Sequence, residues 1–144
     1  MRFQRGQSVV EFALVLPLFL LLCFGIFYIG MIFADYMTLS NIARSSAREA
    51  SMVVVSTDVD SHYQKVRDKY ADTKLPLDAF EWKKENFDIV YNKTNQNVTV
   101  TINAPLNDKG KGFAHIFYKL IKQTGNDIIL KITYTMYSEY IPKN

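Results

Sequence analysis

The sequence predicts an α+β protein, with a long N-terminal transmembrane helix that continues into a domain of three or four antiparallel strands and one or two short helices. Three observations support this. Residues 12–34 form an uncharged apolar run, apolar residues then recur at helical spacing, and apolar and polar residues alternate in the C-terminal half. The predicted boundaries are a basic leader at 1–6, a membrane-spanning and amphipathic helix at 7–54 and an exported domain at 55–144.

The apolar run from Phe12 to Ala34 contains no Asp, Glu, Lys, Arg or His. As a helix it would be about 35 Å long, enough to cross a hydrocarbon core of about 30 Å. A cleavable secretory signal is the main alternative, but the run is longer than is usual for such a signal and no small-residue cleavage site follows it. Arg2 and Arg5 precede the run, so the positive-inside rule places the N-terminus in the cytoplasm and the domain outside.

One face of the continuing helix is expected to pack against the domain. Its apolar or small residues recur at spacings of three and four: Tyr36, Leu39, Ala43, Ala47, Ala50 and Val54. Within the run, Pro17 favours a kink because it removes a backbone hydrogen bond. Gly25, Gly30 and Ala34 leave low ridges for another helix to approach, and the last two form a small-xxx-small pair.

A second helix is predicted from about Asp58 to Asp72, with N-cap residues in Ser56-Thr57-Asp58 and an end before Leu75-Pro76. Its inner face repeats at helical spacing: Val59, Tyr63, Val66 and Tyr70. Phe80 to Lys84 is predicted as a short strand.

The C-terminal half predicts a β-hairpin and a further strand. Phe87–Asn92 and Val98–Ala104 are the hairpin strands, joined by a turn at 93–97, because the second strand alternates apolar and polar residues and the turn is rich in Asn and Thr. A loop over 105–112 and a short amphipathic helix over 113–121 follow. The last strand is expected from about Asp127 to Tyr140, with one face made of Ile128, Leu130, Ile132, Tyr134 and Met136.

Composition argues against several classes of function. The net charge of +3 is spread over 144 residues without a dense basic block, which argues against a nucleic-acid partner. The single cysteine, Cys23, lies inside the apolar run, without a Cys or His partner in sequence for a disulfide or a metal. His62 and His115 lie far apart and are expected to be solvated. We therefore predict no catalytic residue, metal or cofactor.

The most informative residue is Glu11, a carboxylate just inside the mouth of the apolar helix. Anchoring does not require it, and an ionisable group at this depth costs free energy. Gly6, five residues earlier, would let a protease approach the backbone closely. After a cut there, the new amino group of Gln7 would pair favourably with Glu11 of an adjacent subunit and set a one-step register. A glutamate at the headgroup boundary before an ordinary anchor remains the alternative.

At these residues the chain resembles the type IV pilin superfamily, and specifically the TadE-like minor pilins, or pseudopilins, of tight-adherence (Flp/Tad) pili. The shared pattern is Gly6, then Glu11 with the aromatic Phe12 beside it, and the pair Leu16-Pro17 inside the apolar run. The stretch from Asn41 to Ala50 is also similar to the helix continuation of this family.

The resemblance implies that a prepilin peptidase cuts between Gly6 and Gln7, and that Glu11 and Phe12 serve assembly. The implied partners are this peptidase, other minor pilins, the major pilin, the inner-membrane assembly platform and the lipid bilayer. The protein would be an enzyme's substrate rather than an enzyme. It would cross the bacterial cytoplasmic membrane once and could reach a cell-surface pilus. Two alternatives remain open: a minor pseudopilin of another type IV filament or of a type II secretion system, and an uncleaved single-pass protein with an exported binding domain.

Overall fold

The structure is a computed structural model that describes residues 3–52, 58–109 and 128–138, together with 115, 118, 119, 122, 123 and 125. Its elements confirm the α+β class, with a long helix first, a short helix next and an antiparallel sheet last. Their bounds are α1 Phe3–Ser51, α2 Val59–Ala71, one 3-10 turn at Lys84–Asn86, β1 Phe87–Asn92, β2 Asn97–Pro105 and β3 Ile129–Tyr137.

The three described strands form one sheet with β2 in the centre. Ile89 of β1 faces Val100 of β2, and Val100 faces Tyr134 of β3. The predicted alternation in β2 is confirmed, since every second side chain is buried: Val98, Val100, Ile102 and Ala104. β3 shows the same alternation, with Ile132 buried and its neighbours Lys131 and Thr133 exposed.

The C-terminal half of α1 packs across the buried face of this sheet. Leu39, Ala43, Ala47 and Ala50 are all fully buried, as the spacing predicts. The alanines let the helix backbone come close to the sheet, because a methyl group is the only side chain in the way. Val54, the last residue predicted for this face, lies outside the described residues.

The start of this inner face was predicted wrongly. Tyr36 is 39% exposed, whereas Asp35 is fully buried. Asp35, Leu39 and Ile42 are separated by four and three residues, so they share one helical face, and Tyr36 is rotated away from it by one residue. A polar group therefore occupies a position where the pattern predicts an apolar one.

α2 is confirmed within one residue at each end, with Tyr63 and Val66 buried. The predicted side-chain cap is only partly testable, because Ser56 and Thr57 lie outside the described residues. Asp58 occupies the N-cap position but forms no side-chain cap hydrogen bond. Its backbone carbonyl accepts the first hydrogen bond of the helix, from the His62 N–H at 3.0 Å.

The strand predicted over residues 80–84 is wrong. Phe80 forms a single isolated bridge with Leu106, and the chain then enters the 3-10 turn. The indole of Trp82 donates a hydrogen bond to the Tyr70 carbonyl at 3.2 Å, so the segment is held against α2 and does not continue along the sheet. The sheet also includes Pro105, which was predicted as loop. Most of the helix predicted over 113–121, and both predicted ends of the last strand, lie outside the described residues.

Candidate functional site

The N-terminal half of α1 is an apolar surface that nothing in the described chain covers. The helix from Ser8 to Ser51 is long and apolar enough to cross a membrane, and its most apolar 18-residue window has a mean hydropathy of 2.7 with 0% of the window buried. Phe12 is 66% exposed and Leu14 75% exposed. In water so much apolar surface is strongly unfavourable, so this half of the helix requires lipid or other helices around it.

Glu11 is exposed on the first turns of this surface, one residue before the apolar run begins. Gly6 and Gln7 lie in the first two turns of the same helix. Five residues of helix separate Gly6 from Glu11, about 7.5 Å along the axis. The predicted pairing of Glu11 with a new amino terminus joins two subunits, so it stays a prediction.

Pro17, Gly25 and Gly30 lie on the same open surface, whereas Ala34 does not. α1 continues through Pro17 as one helix. A Cβ atom built at Gly25 or at Gly30 would meet nothing within 4 Å. Within the described chain neither glycine is needed for space, so any packing reason for them lies with a neighbouring helix. Ala34 is half-buried, and its carbonyl accepts a hydrogen bond from the Thr38 hydroxyl at 3.0 Å.

Asp35 is the site residue that the sequence prediction missed. Its carboxylate accepts a hydrogen bond from the Leu77 N–H at 3.1 Å and another from the Ala79 N–H at 2.7 Å. These donors belong to the loop between α2 and β1, more than forty residues away in sequence. Asp35 therefore holds this loop against α1 at the point where the apolar run ends.

A weak signal in the sequence pointed to this role. Asp35 directly follows the apolar run, and the positions one turn later are Thr38 and Leu39 rather than a Lys or Arg that could pair with it. A carboxylate with no local cation requires distant donors when it is buried. The sequence does not say which donors those are.

A second polar contact joins α1 to α2 near the far end of the domain. The Glu49 carboxylate accepts hydrogen bonds from Lys69 Nζ at 2.7 Å and from the Tyr70 hydroxyl at 3.1 Å. His62 Nε2 donates to the Glu49 backbone carbonyl at 3.0 Å, so the expectation of a solvated His62 is wrong. His115 is half-buried too, with Nδ1 donating to the Asp108 carbonyl at 3.2 Å.

Alkaline pH should weaken the contact around Glu49. The hydrogen bond with Glu49 raises the pKa of Lys69 above its usual value of 10.5. Burial, and then the hydrogen bond with Glu49, raise the pKa of Tyr70 above its usual value of 10.0. Both groups bind their protons more tightly in the folded state, so their contribution is complete below pH 10 and is lost as pH rises through the folded pKa values. We expect the thermal midpoint to fall less between about pH 10 and 12 in Glu49→Gln than in the wild type, because the two raised pKa values place the loss above about pH 10. Equal falls in both proteins would contradict the assignment.

Among the residues that the structure describes, no group of three or more His, Cys, Asp or Glu side chains is placed to hold a metal ion. Cys23 is exposed on the apolar half of α1. The exposed apolar surface of α1 favours contact with lipid or with other helices.

The N-terminal segment of the chain matches a known protein family. The family model described as TadE-like protein matches residues 6–48, which contain Gly6, Glu11, the whole apolar run and Asp35. No curated protein and no solved structure matches the chain. The match covers most of α1 and stops before α2 and the sheet. Over residues 6–48 the chain is therefore similar to the TadE-like family, which is associated with the tight-adherence (Tad) pilus.

Proposed function

We propose that this protein is a minor pilin, or pseudopilin, of a tight-adherence pilus and a member of the type IV pilin superfamily. In this proposal a prepilin peptidase removes residues 1–6, and the mature subunit takes part in pilus assembly. The observation that carries the proposal is the exposed apolar half of α1, with Glu11 at its entrance, in a helix that continues into a folded domain.

The exposed span supports two successive environments for one helix. Before assembly the bilayer covers it, since its length matches the hydrocarbon core. During assembly neighbouring pilin helices replace the lipid, and the open positions at Gly25 and Gly30 allow close approach. Glu11 favours the second environment, because a carboxylate gains more from a paired ammonium than from lipid headgroups.

The domain supplies the part of the subunit that other pilins would contact outside the membrane. The proposed partners are other minor pilins, the major pilin, the inner-membrane assembly platform and the peptidase. Arg2 and Arg5 favour a cytoplasmic N-terminus and an exported domain. The role proposed for the chain is structural, with no enzymatic activity of its own.

A glycine at the proposed cut favours the local unwinding of α1 that cleavage requires. Gly6 and Gln7 lie in the first two turns of α1. A protease requires an extended peptide, so these turns must unwind before cleavage. Glycine lowers the cost of this unwinding, by about 1 kcal/mol relative to alanine in a helix interior.

Replacing Gly6 tests the proposed processing. The chain is expressed with the prepilin peptidase of its own system, and its mass is measured after purification from membranes. We expect the wild type to lack residues 1–6 and Gly6→Ala to keep them, because the added methyl group blocks approach of the protease and favours the helix. Gln7→Ala is the matched control and should be cleaved normally.

The outcomes separate the proposed function from its alternatives. A wild-type chain that keeps Met1 in cells that trim their other pilins would overturn the proposal and favour an uncleaved membrane protein with an exported binding domain. Normal cleavage of Gly6→Ala would remove the proposed role of the glycine. The cleaved chain could instead co-purify with pseudopilins of a secretion system and not with Tad pilins. That result would favour a role as a pseudopilin of the secretion system.

A further inference from the structure

The domain begins inside the apolar run and not beyond it. Ile32 lies within the run, yet it packs against the buried core of the domain. It precedes Asp35 by three residues, about 4.5 Å along the helix. One side of the last turn of the membrane span is therefore covered by the domain, while Phe33 on that turn stays exposed.

The loop held by Asp35 lies at the same level. The N–H groups of Leu77 and Ala79 reach the Asp35 carboxylate directly, so the backbone of this loop contacts α1 one residue after the run ends. A straight helix needs only about 20 residues to fill a hydrocarbon core of about 30 Å. The run is slightly longer than this, so Asp35 lies close to the headgroup layer and cannot stand far above it.

The end of the sheet where β2 finishes and β3 starts lies at the same height along α1 as this loop. The Asn107 N–H donates to the Ala79 carbonyl at 2.9 Å, and the Leu106 N–H donates to the Ile128 carbonyl at 3.1 Å. Ile129, the first residue of β3, pairs with Pro105 at the end of β2. Three exposed apolar side chains therefore share the end of the domain next to the apolar run, and we name them the membrane-proximal rim: Leu77, Ile128 and Ile129.

We propose that the membrane-proximal rim is a lipid-contact surface, set into the headgroup layer of the bilayer while the protein is anchored by α1. Leu77 is 36% exposed and Ile129 58% exposed, so both retain apolar surface that water disfavours and that the boundary between headgroups and acyl chains accepts. Lys74, exposed beside the rim, can extend its ammonium toward lipid phosphates. Asp78, exposed next to Leu77, must then remain on the aqueous side of the layer.

Lipid contact at the rim would fix the position of the domain relative to the membrane. A domain seated in the headgroup layer is held at one depth and orientation relative to the membrane, rather than swinging above it. Leaving the membrane would require the rim to lose its lipid contact. The inference rests on the membrane-spanning part of the proposed function, and it requires neither cleavage at Gly6 nor assembly through Glu11.

Site-specific fluorescence measures the depth of the rim. The full-length, uncleaved chain is reconstituted in vesicles of phosphatidylethanolamine and phosphatidylglycerol. A cysteine carrying an NBD fluorophore replaces Leu77, or Asn95 in the hairpin turn as the matched control, with Cys23→Ser in the background. Asn95 is exposed at the opposite end of the sheet, and nine residues of β2 correspond to about 30 Å. A lipid with a nitroxide on its headgroup, present in both leaflets, quenches fluorophores at headgroup depth.

We expect several-fold stronger quenching, and emission at shorter wavelength, at position 77 than at position 95. The emission of Trp82, the single tryptophan, reports whether each labelled domain is folded. If Leu77→Cys loses the native emission, Ile129→Cys replaces it at the same rim, and strong quenching there carries the same meaning.

Two results would overturn the proposal, and they differ in what else they affect. If the rim positions are quenched no more than position 95 while a label on native Cys23 reports an apolar environment, the span is inserted and the lipid contact of the rim is refuted alone. If the label on Cys23 reports water, the span is not in the membrane, and both this inference and the proposed function fail.

Discussion

Replacing Asp35 with alanine is expected to lower the free energy of unfolding of the domain by about 3 kcal/mol. The substitution leaves the half-buried N–H of Leu77 and the buried N–H of Ala79 without the carboxylate that accepts from both. Each buried donor that loses its partner costs about 1–3 kcal/mol. The loop between α2 and β1 should then separate from α1, while the sheet keeps its own hydrogen bonds.

This loss can be measured by denaturant unfolding of the full chain in detergent micelles, followed by Trp82 fluorescence. Trp82 is a suitable reporter because its ring lies 5.5 Å from that of Phe87 and its indole N–H bonds to α2. Asp35→Asn should give a smaller loss, since its amide oxygen can still accept from one of the two donors. Asp108→Ala, at an exposed turn, is the control and should change stability by less than about 0.5 kcal/mol. If Asp35→Ala unfolds at the same denaturant concentration as this control, the proposed attachment is wrong.

Replacing Glu11 with glutamine is expected to abolish assembly with partner pilins while leaving membrane insertion unchanged. Glutamine keeps the size of the side chain and removes its charge. If Glu11 pairs with the amino terminus of a processed neighbour, losing one partner leaves the other charge uncompensated at membrane depth, at a cost of about 3 kcal/mol or more. This cost corresponds to association that is roughly a hundredfold weaker.

The measurement compares the amount of protein in the membrane fraction with the amount of partner pilin that co-purifies with it. Ser8→Ala, one helical turn before Glu11, is the matched control and should assemble like the wild type. Glu11→Asp keeps the charge on a shorter side chain and should retain part of the assembly. Normal co-purification of Glu11→Gln would exclude charge pairing as the reason for this residue, even if processing at Gly6 is confirmed.

Much of the fold could be predicted because its signals are local. The apolar run requires only composition, and helix and strand periods follow from backbone geometry, which is why α1, α2 and the three strands were placed within a few residues. The segment at residues 80–84 failed for the opposite reason. Its side chains have strand character, but Trp82 bonds to the Tyr70 carbonyl, a contact that sequence patterns do not encode.

The candidate site divides in the same way. The sequence alone shows the pattern of Gly6, Glu11, Phe12 and Pro17, because the roles predicted for these residues depend only on their spacing along one helix. The structure adds that most of the apolar run is exposed and that its last turn is partly covered by the domain, and it leaves the pairing of Glu11 to experiments on more than one subunit.

The sequence by itself determined that this chain has an apolar helix long enough to cross a bilayer, a glutamate at its entrance and an α+β domain after it, because charge, hydropathy and residue period act over one or a few turns. Only the tertiary structure decided where the domain attaches. A buried carboxylate takes whichever donors the folded chain brings to it, so the contact of Asp35 with the loop at Leu77 and Ala79 exists only once α2 and the sheet have packed against α1.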